Sequence, residues 1–192
     1  MSGRVELRVA HADDAAAIRA IYAPYVEKTV ISFETEVPDV ATMAQRMAKV
    51  LAMHPWLVAI VDDEIAGYAY AGAHRERAAY RWSVDTTAYV AERFLRRGIG
   101  KRLYAALCTL LKKQNIVNAF GIITLPNAAS VGLHESLGFV RGATEICVGH
   151  KFGAWHDVGM WQKRLGDGIS APVEPVPFGN LHADFVTEVL AG

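Results

Sequence analysis

The stretch Asp85–Lys101, D-T-T-A-Y-V-A-E-R-F-L-R-R-G-I-G-K, is the part of the chain from which the fold can be inferred. It predicts a strand, a turn rich in arginine and glycine, and the start of a helix. Apolar residues then recur at helical spacing, namely Ile99, Leu103, Ala106, Leu107, Leu110 and Leu111. A helix N-terminus presents unpaired backbone N–H groups, so we expect a phosphorylated compound to bind at Gly98-Ile99-Gly100.

The spacing of the glycines excludes two common kinds of phosphate-binding loop. A Walker loop needs a glycine five positions before its Gly-Lys pair and a Ser or Thr after it, but Leu95 precedes Gly100-Lys101 and Arg102 follows. A dinucleotide fingerprint needs a third glycine at the position of Leu103 and an acidic residue near Asn118. The remaining R-R-G-x-G turn is either a solvated glycine turn or resembles the acyl-coenzyme A loop of the GNAT superfamily of N-acetyltransferases.

Composition limits the classes of protein that the chain can represent. Its 192 residues, 52% apolar and 21% charged, are typical of one globular domain. No apolar run approaches the ~18 residues of a membrane span, and the N-terminus has no secretory pattern, so we expect a cytoplasmic protein. Twenty basic and twenty acidic residues cancel, which disfavours nucleic acid as a partner.

The only cysteines, Cys108 and Cys147, lack the close spacing of metal or redox sites. We therefore expect two buried structural thiols and no metal.

Periodicity and turn signals predict the element order β-α-α-β-β-β-α-β-α-β-β, an α/β layout with a mixed sheet, as one domain over residues 1–165. Asn127 is the expected N-cap, and Gly138 the expected terminator, of a helix over 128–137. The last two strands are predicted over 139–148 and 155–165, around a turn at 149–153. The proline-rich tail, 166–192, is expected to pack on this domain or on a dimer partner, with a short helix over 184–190.

Strand parity identifies a candidate base. In the strand before the phosphate turn, Asp85, Thr87 and Tyr89 point to one face, and Thr86 and its alternate neighbours point to the other. A partly buried carboxylate could take a proton from an amine, although a surface or salt-bridged aspartate would have the same pattern.

Two further groups of side chains are candidates for the site. Asn127, Ser130 and His134 share one side of the predicted helix, and His134 is either an active-site imidazole or a structural one. A basic cluster, His74, Arg75, Arg77 and Arg81, is either a solvated face or a clamp for an anionic substrate. Phe33 lies in an irregular segment between two helices. Its side chain would either line a substrate pocket or pack in the core.

Five blocks narrow the resemblance to one family. They are S-F-E-T-E-V-P (32–38), A-Y-R-W-S-V-D-T-T-A-Y-V (79–90), R-R-G-I-G-K-R-L-Y (96–104), N-A-A-S-V-G-L-H-E-S-L-G-F (127–139) and G-H-K-F-G-A-W-H-D-V-G-M-W-Q (149–162). Together they resemble the phosphinothricin N-acetyltransferases over nearly the whole domain. The resemblance implies the GNAT acyl-CoA N-acyltransferase fold, a mostly antiparallel mixed sheet flanked by helices.

The same resemblance implies a function and a set of site residues. The reaction would be acetyl transfer from acetyl-CoA to the amino group of a small amino acid or analogue, by direct attack on the thioester, in a homodimer. Asp85 would be the base and His134 would assist. Substrate-binding positions would be Phe33, Arg75, Arg77, Tyr80 and Thr87. Cofactor-binding positions would be Tyr89, Val90, Arg96, Arg97, Gly98, Ile99, Gly100, Lys101, Arg102, Asn127 and Ser130.

Two positions depart from the family pattern. Asp85 stands where the family generally has Glu, one methylene longer, so a bridging water or a lower rate is expected. Leu95 replaces the Gln or Arg that usually opens the coenzyme A motif. The alternatives that remain are acetylation of another small amine or of a protein N-terminus, and an acyl-CoA-binding protein with little turnover.

Overall fold

The computed structural model describes residues 4–166 and 171–192. The strands are β1 (Glu6–Val9), β2 (Trp56–Val61), β3 (Glu64–Ala73), β4 (Ser83–Val90), β5 (Asn118–Leu125), β6 (Val140–Lys151) and β7 (Ala154–Arg164). The helices are α1 (Ala15–Lys28), α2 (Val40–Leu51), α3 (Ile99–Lys113), α4 (Ala128–Ser136) and α5 (Ala183–Ala191). The predicted element order and the short terminal helix are confirmed.

The seven strands form one sheet in the order β1-β2-β3-β4-β5-β7-β6. All neighbours are antiparallel except β4 and β5, which are parallel and are joined by α3. The expected mixed, mostly antiparallel sheet flanked by helices is therefore confirmed. A parallel pair needs such a crossover, because a tight turn can join only antiparallel strands.

The parallel pairing of β4 and β5 is short. Its register runs only from Ser83 opposite Asn118 to Asp85 opposite Phe120, although both strands continue for several residues. Beyond that point β4 stays paired with β3, and β5 stays paired with β7. The two strands consequently enclose a wedge-shaped gap, which we call the β4–β5 gap, with Asp85 and Phe120 at its closed end.

The strand parity predicted for β4 is confirmed. Val84 and Thr86 are buried on the face covered by α3, whereas Asp85 is only partly buried on the opposite face. That opposite face is covered by α1, whose Tyr22 ring lies 5.1 Å from the ring of Tyr89.

The predicted signals at both ends of α4 are also confirmed. Asn127 is its N-cap, and the side-chain oxygen accepts a 3.1 Å hydrogen bond from the backbone N–H of Ser130. Gly138 follows the helix with a φ of 83°, in the left-handed region that favours glycine.

Two predictions about the closing hairpin are wrong. The turn expected over 149–153 is only Phe152-Gly153, both with positive φ, because β6 continues through Lys151. Cys147 is exposed rather than buried, since β6 is irregular there and the Cys147 N–H donates to the Asp157 carboxylate at 2.8 Å. Cys108 is buried, as expected.

The C-terminal segment from residue 171 packs against the rest of the chain. The Gln114 side-chain amide donates to the carbonyl oxygens of Met53 and Val176, both at 2.7 Å. The Phe178 N–H donates to Met53 O, and α5 packs on α3 and β1. Positions 167–170 of the predicted tail lie outside the described residues.

Across residues 4–166 and 171–192, none of the helices combines the length and the apolar character that a bilayer crossing needs. Within the same ranges, no group of three or more His, Cys, Asp or Glu side chains is placed to hold a metal ion.

Gly121 of β5 allows α4 to approach the sheet. A Cβ atom at this position would collide with the imidazole of His134, which is 96% shielded from solvent. We predict that Gly121→Ala lowers the free energy of unfolding by about 1–3 kcal/mol, because a packed ring must move to admit the methyl group. Urea denaturation measures the change.

Gly132→Ala is the matched control. Gly132 lies on the exposed side of α4, where an added Cβ would contact nothing within 4 Å. This substitution is expected to stabilise the protein by about 0.5–1 kcal/mol, the usual gain for Ala over Gly within a helix. Equal effects of the two substitutions would contradict the packing described for Gly121.

Candidate active site

The backbone groups of β4 alternate between β3 and the β4–β5 gap. His74 N–H donates to Ser83 O and Ala91 N–H donates to Ala66 O, while the β3–β4 register stays constant between these two bonds. Odd-numbered residues of β4 therefore pair with β3, and even-numbered residues face the gap. Tyr89 uses its backbone groups on β3, whereas the backbone groups of Val90, the other predicted cofactor position on β4, and of Ala88 face the gap.

Tyrosine hydroxyl groups reach two of the carbonyl groups along the gap. The Tyr25 hydroxyl donates to Val90 O at 2.5 Å, and the Tyr104 hydroxyl lies 3.2 Å from Thr86 O. Between them, Ala88 has lost its neighbour across the sheet because β5 has already diverged. An extended amide-containing ligand in the gap could pair with these backbone groups as an additional strand does.

The R-R-G-x-G turn lies at the open end of β4. Gly98 is the N-cap of α3 with a φ of 77°, and Arg96 also has a positive φ. The first N–H groups of a helix have no partner within it, so those of Ile99, Gly100 and Lys101 are available to an anion. The side chains of Arg96, Arg97 and Lys101 are exposed around this helix end, whereas the exposed Arg102 side chain reaches Gly192 at the end of α5. The residue types and the backbone geometry fit a pyrophosphate group.

The start of α4 faces the same end of the gap from the β5 side. A Cβ at Gly100 would lie 3.3 Å from the side chain of Leu133, so the first turn of α3 packs closely on α4. Asn127 is engaged as the N-cap of α4, and Ser130 is partly exposed. The structure thus brings these two predicted cofactor positions next to the phosphate turn.

Asp85 lies at the closed end of the gap on the α1 face. Its Oδ1 is 2.6 Å from Nδ1 of His74, and its side chain is 38% exposed. Burial raises the pKa of Asp85, while the hydrogen bond from His74 and the charge of Arg75 act in the opposite direction. A carboxylate with a raised pKa that still reaches solvent is suited to accept a proton.

His134 is not beside Asp85. It is buried with Tyr104 of α3 and Phe139, on the face of the sheet opposite to Asp85. Nδ1 of His134 donates a hydrogen bond to Ser130 O at 2.8 Å. Nε2 lies 3.0 Å from the Tyr104 hydroxyl and can accept a hydrogen bond from it. Burial lowers the pKa of His134 and so favours the neutral form of its ring. These contacts favour a supporting role, in which His134 orients the Tyr104 hydroxyl next to the gap.

Phe33 forms part of a wall on the Asp85 face. Its ring packs on the backbone of Gly149 in β6, and its centroid lies 6.3 Å from that of His156 in β7. The side chain is still 38% exposed. One part of the ring therefore packs on the hairpin and another part is exposed, so the pocket-wall role of Phe33 stays a prediction.

Lys151 fixes the segment that carries Phe33. Only 6% of Lys151 is exposed, and its Nζ donates to Val26 O and Ser32 O, both at 2.7 Å. Val26 belongs to the last turn of α1, where carbonyl groups have no partner within the helix. The ammonium group therefore ties the end of α1, the following segment and the β6–β7 hairpin together. Its burial lowers the pKa of Lys151.

The residues of the predicted basic clamp do not all lie together in the structure. The guanidinium carbon of Arg75 lies 5.6 Å from the ring centre of Tyr80, and Arg77 is exposed just before Tyr80. Arg81, in contrast, pairs with Glu174 of the C-terminal segment at 3.0 Å. Thr87 follows Asp85 on the same face of β4 and is partly exposed.

Sequence analysis missed the specific roles of His74 and Lys151. His74 was grouped with a basic cluster, but its register opposite Ser83 puts it on the same face as Asp85, which only the strand pairing reveals. Lys151 fell inside a predicted turn, although a lysine between apolar strands could have indicated a buried cation. Tyr25 and Tyr104 lie on helices that also carry core residues, so the sequence does not reveal their hydroxyl contacts.

Comparison with known proteins gives concordant matches. The family model described as Acetyltransferase (GNAT) domain matches residues 7–161. Phosphinothricin N-acetyltransferase of Streptomyces viridochromogenes is 40% identical over 172 residues, which cover 90% of this chain and 93% of that protein. The L-methionine sulfoximine/L-methionine sulfone acetyltransferase of Pseudomonas paraeruginosa is 34% identical over 168 residues, covering 86% of this chain and 98% of that protein.

A solved structure is similar over nearly its full length. The crystal structure of a GNAT superfamily phosphinothricin acetyltransferase from Sinorhizobium meliloti in complex with AcCoA superposes with a TM-score of 0.85 at 32% sequence identity. The superposition covers 91% of this chain and 95% of that one.

We predict that Lys151→Met lowers the free energy of unfolding by about 2–4 kcal/mol, because it leaves two buried carbonyl groups without a donor. Urea denaturation measures this loss, and hydrogen exchange is expected to accelerate at the amides of residues 29–37. Lys112→Met, at an exposed position of α3, is the control and is expected to change stability by less than about 0.5 kcal/mol. A Lys151→Met protein as stable as the control would contradict the role assigned to this ammonium group.

Proposed function

Because the chain belongs to the acetyltransferase (GNAT) family, we propose that it transfers an acetyl group from acetyl-CoA to the amino group of a small amino acid or analogue. The relatives named for phosphinothricin and for methionine sulfoximine suggest these two compounds as acceptors. The observation that carries the proposal is the β4–β5 gap, which has Asp85 at its closed end and a basic helix N-terminus at its open end. Acetylating such a compound would contribute to resistance against it.

Coenzyme A is proposed to bind along the gap. Ala88 and Val90 would pair with its amide groups, and Arg96, Arg97, Lys101, Arg102 and the backbone of Gly98–Gly100 would bind its pyrophosphate. Asn127 and Ser130 would lie close to the cofactor at the start of α4. The thioester supplies an activated acetyl group, so no covalent enzyme intermediate and no metal are required.

Asp85 is proposed to be the base. An amino acid at neutral pH carries an ammonium group, which must lose a proton before its nitrogen can attack a carbonyl carbon. Asp85 would accept this proton on Oδ2, which has no hydrogen-bond partner among the described residues. The proton would then pass to solvent through the exposed side of the carboxylate.

The acceptor is proposed to bind on the Asp85 face, between Phe33 and the basic segment before β4. Arg75 and Arg77 would bind the acidic groups of an amino-acid analogue, and Tyr80 and Thr87 would contact its other polar atoms. This arrangement favours acceptors with a second acidic or polar group over simple amines.

We expect the wild-type protein to release free CoA thiol from acetyl-CoA in the presence of phosphinothricin or methionine sulfoximine. Asp85→Ala should lower kcat about 100-fold or more, since it removes the proton acceptor. Asp85→Glu should retain or raise activity because the longer side chain reaches further. Asp184→Ala, which changes an exposed aspartate in α5, is the control.

One outcome would contradict this function, and two others would contradict the roles proposed for individual residues. CoA binding without turnover on a panel of amino acids and neutral amines would favour an acyl-CoA-binding protein. Full activity of Asp85→Ala would remove Asp85 from the mechanism. Equal kcat/KM for anionic amino acids and neutral amines would exclude the arginine clamp only.

The proposal includes a cytoplasmic homodimer. Two free thiols, one of them exposed at Cys147, are compatible with a reducing compartment. β6 is the last strand of the sheet, and large apolar side chains are exposed on the β6–β7 hairpin, namely Val140, Ile146, Val148, Phe152 and Trp155. An exposed apolar patch rimmed by polar residues is typical of a protein–protein interface.

We therefore expect light scattering to give twice the mass of the chain. Ile146→Lys, at a side chain that is 70% exposed, should shift the protein toward the monomer, because a charge in an apolar interface loses its hydration. Val173→Lys, at an exposed position in the C-terminal segment, is the matched control. A wild-type monomer at micromolar concentration would refute the dimer.

A further inference from the structure

His74 and Asp85 form a paired unit at the closed end of the β4–β5 gap. The register puts Gly72 opposite Asp85, so His74, two residues further along, projects from the same face. Gly72 has no side chain, and an added Cβ there would meet nothing within 4 Å, which leaves space beside Asp85. Nδ1 of His74 faces Oδ1 of Asp85 at 2.6 Å, the short distance of a charge-assisted hydrogen bond.

The imidazole of His74 is held from two further sides. It stacks on Phe120 of β5, with ring centroids 4.2 Å apart and ring planes at 16°. The ring of Tyr80 lies edge-to-face with it, with centroids 6.1 Å apart. Phe120 is the residue opposite Asp85 in the short parallel ladder. The ring therefore bridges from the end of β3 across β4 to β5, at the place where the gap begins.

His74 and Asp85 differ in how much of each side chain is exposed to solvent. The side chain of His74 is 10% exposed, whereas that of Asp85 is 38% exposed. Because Asp85 accepts the hydrogen bond on Oδ1, its Oδ2 is the oxygen left for a substrate. His74 also lies toward the start of β4, away from the open end of the gap. It is therefore placed to act through Asp85 rather than on the substrate.

The short side chain of Asp85 makes its hydrogen bond with His74 important for orientation. Aspartate is one methylene shorter than the glutamate expected from the family resemblance, so its carboxylate reaches less far and its orientation matters more. The Nδ1–H donor fixes which oxygen faces the substrate. The charged and titratable groups facing Asp85 are His74 and Arg75 from the segment after β3 and Tyr70 from β3 itself.

We propose that His74 is a positioning residue that orients Asp85 and keeps its carboxylate ionised for proton abstraction, a role that rests on the proposed acetyltransferase function. The hydrogen bond from His74 lowers the pKa of Asp85 against the effect of burial. Removing the donor must therefore raise that pKa. The carboxylate would then become protonated at a higher pH, and the acidic limb of the kcat/KM profile would move to higher pH.

Two variants separate the hydrogen bond from the ring. His74→Phe keeps an aromatic ring for stacking on Phe120 but has no donor, whereas His74→Asn keeps an N–H donor near the position of Nδ1. We expect His74→Phe to lower kcat about 10–100-fold, as loss of a charge-assisted hydrogen bond does, with the KM for acetyl-CoA unchanged. His74→Asn should recover most of kcat and return the acidic limb toward lower pH.

His182→Phe is the matched control. His182 is an exposed histidine whose Nδ1 lies 3.5 Å from Asp184, so the same chemical change is made at a surface His–Asp pair. It is expected to leave kcat and the pH profile unchanged.

Three results would overturn the role of His74. These are a pH profile of His74→Phe identical to that of the wild type, equal loss of kcat in His74→Phe and His74→Asn, and complete disappearance of the acidic limb, which would make His74 itself the base. An NMR titration of the Asp85 carboxyl carbon tests the coupling without turnover. If the wild type is inactive on all acceptors, the acetyltransferase function fails, while a pKa of Asp85 that is higher in His74→Phe than in the wild type would still support the His74–Asp85 coupling. An unchanged pKa would refute that coupling.

Discussion

The early separation of β4 from β5 is the constraint on which the rest of the site depends. A sheet interior normally satisfies every backbone group through neighbouring strands, and a buried group without a partner costs about 1–3 kcal/mol. Here the parallel ladder ends after the Asp85–Phe120 pair. Hydroxyl groups from two different helices, Tyr25 and Tyr104, reach carbonyl groups that β5 no longer pairs. The backbone groups of Ala88, between these two carbonyl groups, face the gap, where an amide-containing ligand could extend the ladder.

The same separation determines how the helices are arranged around the gap. α4 begins just after β5, and α3 follows β4 after the turn over 91–98, so that the first turn of α3 packs on α4 beside the gap. Their close approach needs Gly100 against Leu133, and α4 approaches the sheet only because Gly121 leaves room for His134. The buried imidazole, whose neutral form burial favours, then lies 3.0 Å from the Tyr104 hydroxyl. That hydroxyl has a single proton, which it can give either to His134 or to the Thr86 carbonyl, so α4 and the edge of β4 are coupled through one hydrogen bond.

Sequence patterns were sufficient where a feature depends on neighbours along the chain. The caps at Asn127 and Gly138, the parity of β4 and the R-R-G-x-G turn are set by local spacing, and the structure has each of them as predicted. Features that depend on register between strands were not predictable. Cys147 is exposed because β6 is irregular there. The backbone groups of Tyr89 pair with β3 because of the β3–β4 register. The helical spacing puts His134 on one side of α4 with Asn127 and Ser130, but it does not tell which face of the sheet that side meets, and the structure has His134 on the face opposite to Asp85.

Asp85 illustrates how environment can compensate for side-chain length. A base must remain ionised at working pH, yet it must hold a proton strongly enough to take it from an ammonium group, so its pKa has to lie between two limits. Burial on the α1 face moves the pKa of Asp85 upward, and His74 and Arg75 move it downward. Both of these residues come from the few positions directly after β3, where Arg75 is exposed and His74 packs on Phe120. A substitution at Arg75 can therefore shift this balance without altering the strand pairing that forms the β4–β5 gap.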